Sequence, residues 1–195
     1  MDDIRLLILL LPLIFLIHDI EEIFAVEEWS RRYKEKILWL SRELPFMGRF
    51  ARSMQMSSRQ FTISAAFEFG LFLLASVWAS TDLIPGAGIF IFSALMAGLV
   101  LHVIVHLAQA ALLELYVPGM ASGLVIVLPF CLYLYQRLIG TGLLDWAAVL
   151  WTGVLGSGLI LPIVLLAQVV GRKLVQALWV SGSQISQGGL STNDG

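Results

Sequence analysis

Four stretches of this chain, at about 61–80, 88–115, 120–138 and 144–170, are nearly continuous apolar runs. Each is about as long as the roughly 20 residues a helix needs to cross a bilayer. In hydrocarbon the backbone must satisfy its own N–H and C=O groups, so such runs are read as membrane helices. A fifth run, about Ile4 to Val26, is apolar until His18 and then admits Asp19, Glu21 and Glu22. Composition agrees: 58% of residues are hydrophobic, 13% are charged, and mean hydropathy is +0.87. A soluble domain carries about a quarter charged residues. The expected fold is all-α, a polytopic transmembrane helical bundle of about five spans over residues 1–180. A Gly/Ser-rich polar tail, 181–195, is expected to be disordered. Asp2 and Asp3 stand where a signal peptide would be basic, and no small-residue cleavage site follows, so the first run is read as retained.

The breaks carry turn chemistry, "TDLIPGAG" (81–88), "YVPG" (116–119) and "IGTG" (139–142). "YVPG" allows only a tight turn between antiparallel helices. The one sizeable polar segment, 27–60, holds Arg31, Arg32, Lys34, Lys36, Arg42, Arg49, Arg52 and Arg59. The positive-inside rule makes this segment cytoplasmic, the N-terminus external, and the C-terminus, with Arg172 and Lys173, internal. Within it, 31–44 has apolar residues at helical spacing among charges, as in an amphipathic helix lying on the membrane surface. Charge sorting accounts for the basic residues without a nucleic acid. The expected partners are membrane lipids and a lipid-like or hydrophobic substrate.

Gly153, Gly156, Ser157 and Gly158 form a close-packing helix face, open to a homo-oligomer but more simply used within the chain. Trp29, Trp78, Trp146 and Trp151, near span ends, read as interface anchors. Cys131, the sole cysteine, excludes an internal disulfide and reads as a small apolar core residue.

The chemistry lies in the polar residues inside the spans. All three histidines, His18, His102 and His106, fall there. In "HVIVH" (102–106) two imidazoles share one helix face, one turn apart, and Gln109 extends the stripe. In "HDIEE" (18–22), Glu21 and Glu22 share the face of His18, while Asp19 points about 100° away. At about 1.5 Å per residue, His18 and His106 lie about 12–14 Å from the cytoplasmic ends of their helices, and Glu68 about 10 Å. Three helices thus carry ligand-type residues at one depth. An acid at mid-membrane costs about 2.5–3.5 kcal/mol, and no lysine or arginine shares that level to offset it. Protonation or a bound cation must. Imidazole and carboxylate at four-residue helical spacing is how bundles hold zinc, iron or manganese. The expected metal ligands are His18, Glu21, Glu22, Glu68, His102 and His106, around one or two divalent ions, zinc or iron.

"HDIEE", a histidine-bearing third span and "YVPG" before an apolar helix resemble the HXXEE domain family of small bacterial membrane proteins. The signature falls on His18, Glu21 and Glu22, the later histidine on His106, and the turn on Tyr116, Pro118 and Gly119. The resemblance covers about residues 10 to 135 and implies a bacterial inner-membrane location. It implies no activity.

The functional expectation is a membrane-embedded metal-binding protein, in chemistry a metalloenzyme: a hydrolase, or a di-metal oxidase or hydroxylase. It would act from the cytoplasmic side on a lipid or other hydrophobic substrate. One of Glu21 and Glu22 would ligate metal and the other act as general base. The alternatives are a divalent-cation or proton transporter using the same cluster, and a structural or sensory protein with a metal clamp. The absence of an internal repeat speaks against alternating access.

Overall fold

The computed structural model describes residues 2–43, 56–81 and 83–188, and every regular element among them is helical. Arg49 and Arg52 of the basic segment lie outside the described residues. Among the described residues six helices follow in order: α1 (Asp2–Arg32), α2 (Lys34–Glu43), α3 (Ser58–Thr81), α4 (Ala87–Leu113), α5 (Met120–Gly140) and α6 (Trp146–Gly188). Among these, α3, α4, α5 and the Trp146–Ala177 part of α6 are long and apolar enough to cross a membrane. Helix α1 is as long, at 31 residues, but Asp19, Glu21 and Glu22 break its apolarity.

The ends of α1 suit its dipole, with Asp2 and Asp3 in the first turn and Arg31 and Arg32 in the last. The surface segment forms as a short helix, α2. Its Ile37 packs with Trp29, Leu113 and Val117, and Lys36 Nζ donates to the Leu113 carbonyl at 2.7 Å. Trp29 therefore corrects the anchor reading. It is buried, and its Nε1 donates to the Tyr116 carbonyl at 2.6 Å, because the fold brings the 116–119 turn against it. Trp78, Trp146 and Trp151 are exposed on the bundle surface. Residues 181–188, read from composition as unstructured, continue α6 instead. Extending an existing helix adds a hydrogen bond per residue without a new nucleus, so weak formers can be carried along. Residues 189–195 lie outside the described residues.

The core is a seam with coiled-coil spacing. Buried residues on α1 fall at Ile4, Ile8, Leu11 and Phe15, and on α4 at Ile89, Phe92, Met96, Leu99 and Val103. Helix α5 adds Val127, Cys131, Leu134 and Leu138. Steps of three and four keep one face of each helix toward the others. Among lipid tails a buried apolar side chain gains little over an exposed one, so close packing must hold the helices together. The Phe15 and Phe72 rings stack at 4.6 Å between centroids, a contact worth about 0.5–1.5 kcal/mol beyond area.

Helices α4 and α6 meet backbone to backbone at Gly98 and Gly156. A Cβ on Gly156 would collide with the Ala94 carbonyl and lie 2.8 Å from the Gly98 nitrogen, whereas one on Gly153 or Gly158 would meet nothing within 4 Å. Of the small-residue face, Gly156 is the member used in packing within the chain. Gly156→Val should therefore cost about 1–3 kcal/mol through overpacking, and Gly153→Val less than about 0.5 kcal/mol. Thermal unfolding of detergent-solubilised protein would show the difference, and equal effects at the two positions would refute this packing.

Candidate functional site

The seam changes chemistry without changing register. After Phe15, the three-and-four register of α1 reaches His18 and Glu22, with Asp19 also buried beside them; after Val103, that of α4 reaches His106. The same three-and-four spacing that packs the core thus turns three polar side chains inward. His102, one turn before His106, joins them from a partly buried position.

One carboxylate oxygen is the focus. Glu22 Oε1 lies 3.1 Å from His18 Nε2, 3.3 Å from His102 Nε2 and 2.9 Å from His106 Nε2. His102 Nε2 and His106 Nε2 are themselves 2.9 Å apart. The three rings meet edge to face, with centroids 4.4–5.5 Å apart, which lets three ring edges share one small volume. One ligand atom from each of His18, Glu22, His102 and His106 lies within 4.8 Å of the others, within metal-binding distance. His18 is 0% exposed, Glu22 5% and His106 7%. His18 Nε2 has no hydrogen bond despite its closeness to Glu22. On the far side of that ring, Nδ1 and Ser122 Oγ are 3.1 Å apart.

Glu21 does something different. Its Oε1 accepts the Gly119 N–H at 3.0 Å, its Oε2 accepts the Ser122 N–H at 2.8 Å, and the Tyr116 hydroxyl donates to Oε1. Gly119 is the N-cap of α5 and Ser122 lies in its first turn. The first N–H groups of a helix have no partner within it and carry the positive end of its dipole. A carboxylate from α1 thus caps α5 from outside, fastening the "YVPG" turn over the site.

That turn requires glycine. Gly119 has φ +85°, and a Cβ there would lie 2.5 Å from Glu22 Oε1 and 2.9 Å from His18 Cε1. A second glycine, Gly123, opens a π-helical turn over Gly123–Val127. A Cβ there would press on Val103 at 3.0 Å. Such turns often mark functional sites; here it brings α5 against both α4 and His18.

Of the six metal ligands expected from sequence, the structure brings four together: His18, Glu22, His102 and His106. Glu21 is engaged by the turn. Glu68 lines a narrow apolar groove with Leu71, Phe72, Leu95, Gly98 and Ile160, within electrostatic range of His102 and Glu22. Asp19, off the predicted face, is nonetheless buried, at 4% exposure. Sequence reasoning missed Ser122, which carries no signal of its own, and the capping role of Tyr116 and Gly119, although the turn itself was legible.

A family model described as "Protein of unknown function with HXXEE motif" matches residues 9–134, which include all four clustered residues, Glu21 and the turn. No curated protein and no solved structure matches the chain.

Two outcomes test the turn. Gly119→Ala should destabilise the protein by more than about 1 kcal/mol, since alanine resists positive φ and its Cβ meets Glu22; denaturant unfolding would report it. Burial, with the Glu21 carboxylate as acceptor, pushes the Tyr116 phenol up from 10.0 to about 12. Because the folded value is the higher, this contribution to stability is complete below about pH 10 and fades toward pH 12. In absorbance titrations, the tyrosinate step absent from Tyr116→Phe should lie near 12 in the wild type and nearer 10 in Glu21→Gln.

Proposed function

We propose that this chain, which belongs to the HXXEE family, is a membrane-embedded metal-binding protein whose centre serves a metalloenzyme. His18, Glu22, His102 and His106 hold one divalent ion, zinc or iron, and the substrate is a lipid or another hydrophobic molecule. One observation carries the reading: the convergence of three imidazole nitrogens on a single carboxylate oxygen in the interior of an apolar bundle.

Protons alone serve this arrangement poorly. His18 Nε2, though 3.1 Å from Glu22 Oε1, makes no hydrogen bond, and the facing nitrogens of His102 and His106 must divide donor and acceptor roles between them. The arginine ion pairs among the described residues, Arg5 with Asp2 and Arg31 with Glu28, do not reach these four groups. A cation gives all four ligand atoms one shared partner. Zinc–nitrogen bonds of about 2.0–2.1 Å imply edges of roughly 3.3 Å between tetrahedral ligands, close to the 2.9–3.3 Å separations found here.

Bound there, the ion would supply Lewis acidity. Four protein ligands fill the shell of zinc, whereas a six-coordinate iron keeps positions free for a reactant. The enzymatic reading therefore goes with iron, and with an oxidation in which dioxygen would be the oxidant. His102, whose side chain is 25% exposed, marks the accessible side. Glu68, on the groove wall, is the carboxylate left to handle protons; Glu21 holds the turn. The basic residues of segment 27–60 support a centre near the cytoplasmic face of a bacterial inner membrane, with the N-terminus outside.

Elemental analysis of protein purified without chelators should find close to one metal per chain, and little in His18→Ala or His106→Ala. Glu21→Gln should retain it, because Glu21 lies outside the ligand set. Metal-free wild type under those conditions would falsify the reading, and zinc in place of iron would overturn its oxidative branch.

A further inference from the structure

The narrow groove between α3, α4 and α6 owes its shape to the path of α6. That helix meets α4 at Gly156, where a Cβ would collide with the Ala94 carbonyl. Further along it meets α3 at Gly171, where a Cβ would lie 2.6 Å from the Gln60 carbonyl, and nearby the Ala167 carbonyl accepts the Ser64 hydroxyl at 3.0 Å. The two contacts are about 22 Å apart along the helix, at about 1.5 Å per residue. Between them α6 passes from one neighbour to the other and leaves a crevice lined by Leu71, Phe72, Leu95, Gly98 and Ile160. Leu159, also in the lining, is 47% exposed and marks the open side. All three helices are long and apolar enough to cross a membrane there, so the medium on that side is hydrocarbon.

The groove leads to the centre. On α4, the step from Leu95 to Gly98 continues at the same three-and-four spacing to His102, whose side chain is 25% exposed. On the α3 side, Phe72 stacks on Phe15, the residue before His18 in the stripe of α1. Glu68, one turn from Phe72, is the one charged residue in the lining. It is within electrostatic range of His102, Glu22 and Asp19, and it makes no hydrogen bond among the described residues. An acid at membrane depth is costly without a partner.

We propose that this groove seats the hydrocarbon chain of the substrate, a single-chain neutral amphiphile such as a long-chain alcohol, whose head group donates a hydrogen bond to Glu68 beside His102. The apolar walls suit the chain, and their narrowness admits one chain and not two. Glu68 supplies acceptor oxygens for a hydroxyl. Asp19, Glu22 and Glu68 together repel an anionic head, and a cationic one is costly at this depth. As a substrate site the groove rests on the metal-centre reading above; as a binding site it is measured independently of metal.

Protein in lipid nanodiscs is irradiated with a long-chain alcohol carrying a mid-chain diazirine, and the labelled residues are mapped by mass spectrometry. In the wild type, label should concentrate on the groove around Leu71, Leu95 and Ile160 and should saturate. Unlabelled alcohol should displace it, and the ionised fatty acid of the same length should do so at least about 10-fold less well. Leu71→Trp should block labelling, whereas Leu74→Trp, on the exposed surface of the same helix, should not. Glu68→Leu should weaken binding about 3–10-fold, the net effect of one hydrogen bond, and Glu68→Gln, which keeps an acceptor, should restore it. Label spread evenly over the lipid-facing surface, equal displacement by the fatty acid, or unchanged binding in Leu71→Trp or Glu68→Leu overturns the proposal. Elemental analysis of the same preparations separates the two readings. Saturable groove labelling in protein without metal keeps the binding site and sinks the centre, while metal-loaded protein labelled evenly does the reverse.

Discussion

The oxygen of Glu22 that three imidazoles surround is buried, and among the described residues no lysine or arginine pairs with it. Everything nearby follows from holding that atom in place. Carboxylate and imidazole are costly in an apolar bundle unless their partners are fixed before they are desolvated. The chain fixes them from two directions. Helices α1 and α4 present the groups along the seam that packs their apolar residues, and the turn leading into α5 closes over them. Neither suffices alone, since the seam sets direction but not rotamer or tautomer. Ser122 behind His18 supplies part of what is missing.

The paired glutamates of "HDIEE" divide this labour. They are adjacent in sequence, so their side chains leave α1 about 100° apart. Glu22 turns to the histidines, and Glu21 turns to the N-terminus of α5. One helix thereby carries both the acid of the cluster and the fastener of the turn that covers it. The coupling is tight because Gly119, whose N–H binds Glu21, also lies against Glu22 and His18. A side chain at 119 would disturb both at once.

Much of this was legible in the sequence, for definite physical reasons. Long apolar runs can satisfy their backbones in lipid only as helices, so the bundle could be read from length and hydropathy. The spacing of His18 with Glu22, and of His102 with His106, is periodicity within a single helix, and helical geometry is local. What depends on packing between helices was not legible. Glu21 and Glu22 both lie within one turn of His18, and only the position of α5 separates their roles. Trp29 resembled an interface anchor because its contact with Tyr116 spans 87 residues. Ser122 is one serine among many until α5 is laid beside α1. The basic segment's α2 was visible from its alternating charges, while its docking on Leu113 and Val117 was not.

The match between seam and site also constrains how such a site could arise. If His18, Glu22 and His106 occupied a different helix face from the apolar stripe, each helix would need two buried faces, and the bundle would need another helix to cover the second. Placed on the stripe, they use contacts that already exist, and the cost is confined to the loss of apolar packing over about one turn of each helix. That turn is where the fold departs from regular geometry, with left-handed Gly119 and the π-helical turn from Gly123 to Val127. Leucine-sized side chains in the seam would hold α5 away from α1 and α4. Two glycines and a serine let it come close enough for its backbone to bind Glu21 and its hydroxyl to reach His18. The irregular start of α5 is thus a direct consequence of filling a coiled-coil seam with imidazole and carboxylate.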